Sequence, residues 1–176
     1  LLLDQYKAGD SLFQTIEMAY HKTKSSIENI KNKPSVMTGL MYGDVWYVAG
    51  GESFAARFIE DAGGDYIWSD NAQTGSLELS FERVLSNAQN ADYWIGAASF
   101  TSLEDLENNN NKYALFDAFQ NQKVYSYTKR VNDEGSNDYL ESGFMRADLV
   151  LKDYVNLLHP NVLTDSTTTY FEKLNP

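Results

Sequence analysis

The chain has 176 residues, with 14 Lys and Arg against 25 Asp and Glu, a net charge of −11 and a pI near 4.5. That length fits about one domain; the 43% hydrophobic content, 14% of the chain being aromatic, excludes a disordered chain; and the negative charge repels a phosphate backbone, so no nucleic acid is expected as a partner. There is no cysteine, which excludes disulfides and thiolate chemistry, and no stretch reaches the roughly 18 apolar residues of a membrane span.

The opening LLLDQYKAG lacks the basic segment of a signal peptide, and a first residue other than Met fits a processed product or an excised fragment alike. Residues 11–31 are predicted as a helix. Ser11 and Gln14 have capping-box spacing, Leu12, Ile16, Ala19, Tyr20, Ile27 and Ile30 recur near the 3.6 period, and Lys33-Pro34 ends the run. A strand follows over 35–41. The stretch YGDVWYVAGGES, residues 42–53, then reads as a loop whose Gly-Gly pair opens a helix over 52–62, stopped by Gly63-Gly64.

Residues 65–68 are a short strand and 70–76 a polar loop. A helix capped by Ser80 covers 81–88, and a strand covers 93–98. Short helices are predicted over 102–107 and 113–119, either side of a solvated run of four Asn, and a strand over 124–128. A polar loop over 129–142 leads to a helix over 143–158, with Leu149, Val150, Val155 and Leu158 on its buried side. Strands alternating with helices predict a mostly parallel sheet with helices on both faces, an α/β, Rossmann-like three-layer arrangement. The loops after the three best strands, 42–51, 99–101 and 129–142, then share one sheet edge, where open α/β sheets bind ligands. That edge would collect Trp46, Tyr47, Phe100, Arg130 and Tyr139.

No dinucleotide, phosphate-loop, nucleophile-elbow or zinc-protease motif occurs, so no cofactor is expected. His21 and His159 lie far apart in the chain and suit structural or capping roles, and no metal ligand set is assigned. Acidic pairs such as Asp133/Glu134 lack regular ligand spacing and read as a solvated loop. Trp46 and Tyr47 fit either core plugging or an aromatic wall for a bulky ligand. Arg130 fits a surface salt bridge or a fork for an anionic oxygen. Tyr139 is a possible hydrogen-bond donor from the same loop, and Tyr125 and Tyr127 read as sheet packing. Glu52 fits either the helix dipole or a docking charge for a basic partner.

The segments PSVMTGLMYGDVWYVAGGESFAARFIEDAGGDYIW, FERVLSNAQNADYWIG, YALFDAFQNQKVYSY, DYLESGFMRADLVLKDYVNLLHPNVL and TTTYFEKL, in that order, resemble the C-terminal lobe of periplasmic binding proteins of the cobalamin, haem and ferric-siderophore class, which serve ABC importers. The resemblance covers residues 34–174 and is strongest to Bacteroidetes-type lipoproteins. It implies that residues 1–33 end a long interlobe helix, which fits their balance of five basic and four acidic residues against nine and twenty-one in the rest. It implies that 34–176 form the C-terminal lobe, with the N-terminal lobe lying outside this chain. It further implies a periplasmic, lipid-anchored solute carrier with no reaction to catalyse. The ligand, an iron complex, haem or a corrinoid, would be held between the lobes, and Glu52 would dock onto the membrane permease. The other readings are a small metal-assisted hydrolase of doubly wound fold and a stand-alone protein-interaction lobe.

Overall fold

The structure, a computed structural model, describes residues 6–176; the reading of the first five residues lies outside the described residues. Helix α1 (Tyr6–Ser25) precedes strand β1 (Ser35–Thr38), a hairpin of β2 (Leu40–Tyr42) and β3 (Val45–Ala49), helix α2 (Phe54–Asp61), β4 (Asp65–Tyr66) and β5 (Ser76–Leu79). Then come α3 (Phe81–Ala88), β6 (Tyr93–Ile95), α4 (Leu103–Asn109), a 3-10 turn (Asn111–Leu115), α5 (Asp117–Gln120) and β7 (Val124–Ser126). Helices α6 (Asp138–Glu141) and α7 (Ala147–Leu158) and strand β8 (Glu172–Lys173) complete the chain.

The main sheet has the order β4-β1-β6-β7-β8, parallel except for β8. Alternation along the strands sends side chains to two cores. Met37, Trp94 and Val124 meet α3, α4, the 3-10 turn and α5 on one face. Val36 and Ile95 meet α2 and α7 on the other, with Ile27. The result is the three-layer α/β lobe that alternating strands and helices dictate. From β1 the chain crosses to β4 on one side, and from β6 it crosses to β7 on the other. The carboxyl ends of the neighbouring β1 and β6 are therefore a topological switch point, where a crevice opens in such sheets.

The strand predicted over 35–41 splits at Gly39 into β1 and β2, α6 lies within the loop predicted over 129–142, and the helix predicted over 143–158 begins at Ala147. Two further differences have physical causes. Helix α1 contains Ser11 in its interior: Gln14 Nε2 donates to Asp10 Oδ2 at 3.1 Å instead of capping Ser11. It stops at Ser25, and Ser26 Oγ donates to the Thr23 carbonyl at 2.6 Å, so a side chain takes up a carbonyl at the helix end. Ile27 and Ile30 still pack inward, from a turn and not a helix. The second difference is 42–51, read as a loop. It holds the tip and second strand of a hairpin, turned at Gly43 (φ 60°) and Asp44. With β5, which starts at the last residue of the predicted polar loop and runs through 77–79, left unassigned in the sequence, the hairpin forms a second, antiparallel sheet, β2-β3-β5.

The AGGES glycines are explained by close approach. A Cβ on Gly50 would lie 2.2 Å from the Gln73 carbonyl oxygen, and one on Gly51 would lie 2.4 Å from that of Asn71. They let the 71–75 segment pack on the start of α2; Ser53, not Glu52, is the cap, accepting from Ala56 N at 3.2 Å. Ser80 and Ser102 cap α3 and α4 as their spacing predicts.

Buried polar groups tie the layers together. Asp61 on α2 accepts from the Tyr20 hydroxyl (2.6 Å) and from Lys24 Nζ (2.7 Å), fixing α1 against the lobe. Asp153 on α7 is fully buried and accepts from the backbone N–H groups of Thr169 (2.6 Å), Tyr170 (2.6 Å) and Phe171 (3.2 Å). Burial pushes its carboxyl up, and those three donors pull it back.

Candidate functional site

The crevice at the switch point is a pocket of about 180 Å³. Thr38 and Gly39 from the end of β1, Ile95 and Gly96 from the end of β6, and Tyr127 just past β7 form its floor. Tyr139 of α6, Tyr154 of α7 and Phe171 beside β8 close one side. Tyr139 stacks on Tyr127 with centroids 5.0 Å apart and 21° between planes, and meets Phe171 edge-on at 5.2 Å. Phe171 in turn packs edge-on against Tyr154 at 5.1 Å. The backbone clamp of Asp153 sets the height of that wall, because it holds residues 169–171.

Among the described residues the hydroxyls of Tyr127, Tyr139 and Tyr154 make no hydrogen bond. Those of Tyr66 and Tyr170 are committed, to Thr38 and the Ala49 carbonyl and to Ser142. Burial pushes Tyr139 up to about 12, with Tyr127 adding to the shift, and burial also raises Tyr127 and Tyr154. All three therefore stay protonated near neutral pH and offer O–H donors to an acceptor oxygen.

Tyr139 also lines a neighbouring apolar groove with Phe54, Phe58, Phe144, Ala147 and Val150. Phe54 is 77% exposed and Phe144 73%, and Leu140 and Met145 are exposed beside them. Exposed apolar side chains around a groove at the sheet's carboxyl edge make it a candidate binding face.

Of the residues singled out in the sequence, only Tyr139 lines the crevice. Trp46 is a correction: it has no exposed surface and cannot wall a ligand. It sits inward on β3, its Nε1 donates to the Thr38 carbonyl at 3.2 Å, and it packs against Trp94, Tyr113 and Phe116 at 5.4–5.5 Å. Tyr47, next along β3, pairs with Leu40 and Glu78 and is 38% exposed. Phe100 is partly buried against the Trp94 core. Arg130 is exposed and paired with Asp138 at 2.8 Å, outside the pocket lining. Glu52 is exposed and precedes the cap of α2, so it lies outside the helix's first turn. The missed residues are Tyr127, read as sheet packing, and Phe54, Phe144 and Tyr154, which sit inside segments read as ordinary helices. Among the described residues no group of three or more His, Cys, Asp or Glu is placed to hold a metal ion, and no helix is long and apolar enough to cross a membrane.

A family model described as "periplasmic binding protein" matches residues 2–131. The chain belongs to the periplasmic binding protein family. An uncharacterized lipoprotein of Methanocaldococcus jannaschii is 31% identical over 152 residues, 85% of this chain and 35% of its own length. An uncharacterized protein of the same organism is 24% identical, with 97% of this chain aligned to 51% of its length. The chain thus spans about half, or less, of these curated relatives.

Solved periplasmic binding proteins share the fold. The TroA-like FepB from Veillonella parvula superposes with a TM-score of 0.68 at 15% identity, covering 98% of this chain and 58% of that one. The periplasmic heme-binding protein RhuT from Roseiflexus sp. RS-1, in apo form, gives 0.68 at 20%, covering 92% and 59%. An ABC transporter substrate-binding protein from Listeria monocytogenes gives 0.64 at 20%, covering 90% and 59%.

Proposed function

We propose that this chain is the C-terminal lobe, residues 34–176, of the substrate-binding component of an ABC importer, with residues 1–33 ending the helix that joins it to an N-terminal lobe. The cargo is an iron complex, haem or a corrinoid, and the lobe carries it without catalysing a reaction. The single observation behind this reading is the tyrosine-lined crevice at the β1/β6 switch point, continuous through Tyr139 with an exposed apolar groove. It is an open half-site in a chain that spans 57–60% of several superposed binding proteins. The haem named for the structure of Staphylococcus aureus IsdE and the iron named for a Staphylococcus epidermidis homologue support the cargo class. The family's name and the lipoprotein relative support a periplasmic, lipid-anchored location for the complete protein.

In this reading Tyr127, Tyr139 and Tyr154 donate hydrogen bonds to the ligand, while Phe54 and Phe144 cover its apolar surface. Glu52, exposed at the same edge, docks onto a basic patch of the permease, and the exposed Tyr47 belongs to the rim around the cleft. Arg130, already spent on Asp138, is not assigned to the ligand.

The complete gene product is the sample for the test. Ferric siderophores, haem and cobalamin are screened by thermal shift, and a true ligand at 100 times its Kd adds about 2.7 kcal/mol. Tyr139→Ala combined with Phe144→Ala then lowers affinity at least about tenfold, or 1.4 kcal/mol. Unchanged affinity in that double variant overturns the site. Glu52→Lys leaves binding intact and abolishes uptake in cells; normal uptake removes Glu52 from docking.

A further inference from the structure

Charge at the carboxyl edge separates the possible cargoes. The segments that follow the strands at this edge, 50–53, 96–102 and 127–146, hold three cations (Lys129, Arg130, Arg146) against five carboxylates (Glu52, Asp133, Glu134, Asp138, Glu141), a net −2. Each cation already has oxygen partners. Lys129 Nζ donates to the carbonyl and the hydroxyl of Thr168 at 2.7 and 2.8 Å. Arg130 is on Asp138. Arg146 grips both oxygens of Asp148 at 2.9 and 2.8 Å, a two-pronged pair that is costly to break.

The helix N-termini that face this edge are also occupied. Ser53 caps α2, and Asp148 sits in the first turn of α7. Among the described residues Glu52, Asp133, Glu134 and Glu141 make no ion pair. A polyanionic ligand would therefore meet an uncompensated negative field here, with no cation available to offset its desolvation. What the edge does offer is three tyrosine hydroxyls without protein partners and the Phe54/Phe144 groove.

We infer that the ligand surface held by this lobe is apolar and uncharged or cationic, so that the cargo is a neutral or positively charged chelate or macrocycle recognised through acceptor oxygens and ring packing and not through ion pairs. The inference rests on the carrier reading and selects within it. It excludes the highly anionic chelates that the charge of an iron-complex carrier could otherwise be built to grip.

The test uses the complete gene product and three probes: a neutral ferric trihydroxamate, neutral cyanocobalamin and a trianionic ferric tris-catecholate. Binding is measured by calorimetry at 50 and 500 mM NaCl. The expected result is that a neutral probe binds, with a Kd that changes less than about twofold across that salt range, and that the tris-catecholate binds at least about tenfold more weakly. Tyr139→Phe, which removes one donor and keeps the ring, weakens the neutral probe about three- to tenfold. A tris-catecholate that binds most tightly, or a neutral probe released by salt, overturns the inference and leaves the carrier reading standing. Binding of none of the three overturns the inference, and the carrier reading falls separately only if the thermal-shift screen with haem also finds nothing.

Discussion

Two aromatic clusters lie on opposite faces of one sheet, and they differ in what surrounds their polar atoms. In the first, Trp46 and Trp94 are fully buried, with indole N–H groups on the Thr38 and Gly39 carbonyls, and Tyr113 and Phe116 close the cluster. In the second, Tyr127, Tyr139, Tyr154 and Phe171 pack just as closely and line a crevice, and among the described residues three of their hydroxyls have no protein partner. The first cluster is complete within the chain. The second, built from tyrosines and a phenylalanine, leaves those three hydroxyls without a protein partner. Paired donors are the rule in a core, whereas donors without partners beside a cavity call for an explanation, which the proposed ligand would supply.

The sharpest way to break that contrast is to truncate each cluster. Trp46→Ala should destabilise the chain by about 3–5 kcal/mol, measured by urea unfolding, while Tyr139→Ala should cost much less and act on binding. Equal losses would mean that both clusters are core. Next in size, Asp153→Ala strands three backbone N–H groups, those of Tyr170 and Phe171 buried and that of Thr169 part-buried, and should cost about 2–3 kcal/mol. It should also loosen Tyr170 and Phe171 under Tyr139, seen as faster amide exchange at 169–171; unchanged exchange there would detach the clamp from the site.

A third test reads the open cluster by its titration. Tyr139 ionises near 12 in the folded chain against an ordinary 10.0. A raised folded value means that the fold favours the protonated phenol. This contribution to stability is complete below about pH 10 and is lost as pH rises through about 12. Absorbance at 295 nm should show delayed phenolate formation, and Tyr139→Phe should shrink the delayed amplitude; titration of every tyrosine near pH 10 would refute the burial. The smallest effect belongs to Tyr47→Ser at an exposed position of β3, within about 0.5 kcal/mol, by thermal unfolding.

The parallel strands β1, β4, β6 and β7 were legible in the sequence as short apolar runs, and Ser80, Ser102 and Gly63 marked the helices between them; the antiparallel β8, two residues long, was not. The hairpin was harder. Val45–Val48 alternates inward and outward as a strand does, and Gly43-Asp44 is a two-residue turn, but the flanking strand of three residues gives too little pattern to separate from a loop. That is why Trp46 read as a possible wall: a one-residue step in β3 decides whether it faces the core or solvent, and pairing with β5, hidden in a polar stretch, sets that step. Tyr139 was visible from its place after a strand. Tyr127 and Tyr154 were not, because a ring that packs and a ring that packs while offering its hydroxyl look the same until the neighbouring strand ends are in place.

The main sheet ends on both sides in strands of two residues, β4 and β8. A second molecule approaching either side finds almost no run of unpaired backbone to extend, and Lys173 on the outer strand adds charge to one of them. Runaway strand addition between molecules needs a long, flat template. The chain can thus keep an exposed apolar groove without the sheet behind it becoming a seed for self-association at high concentration.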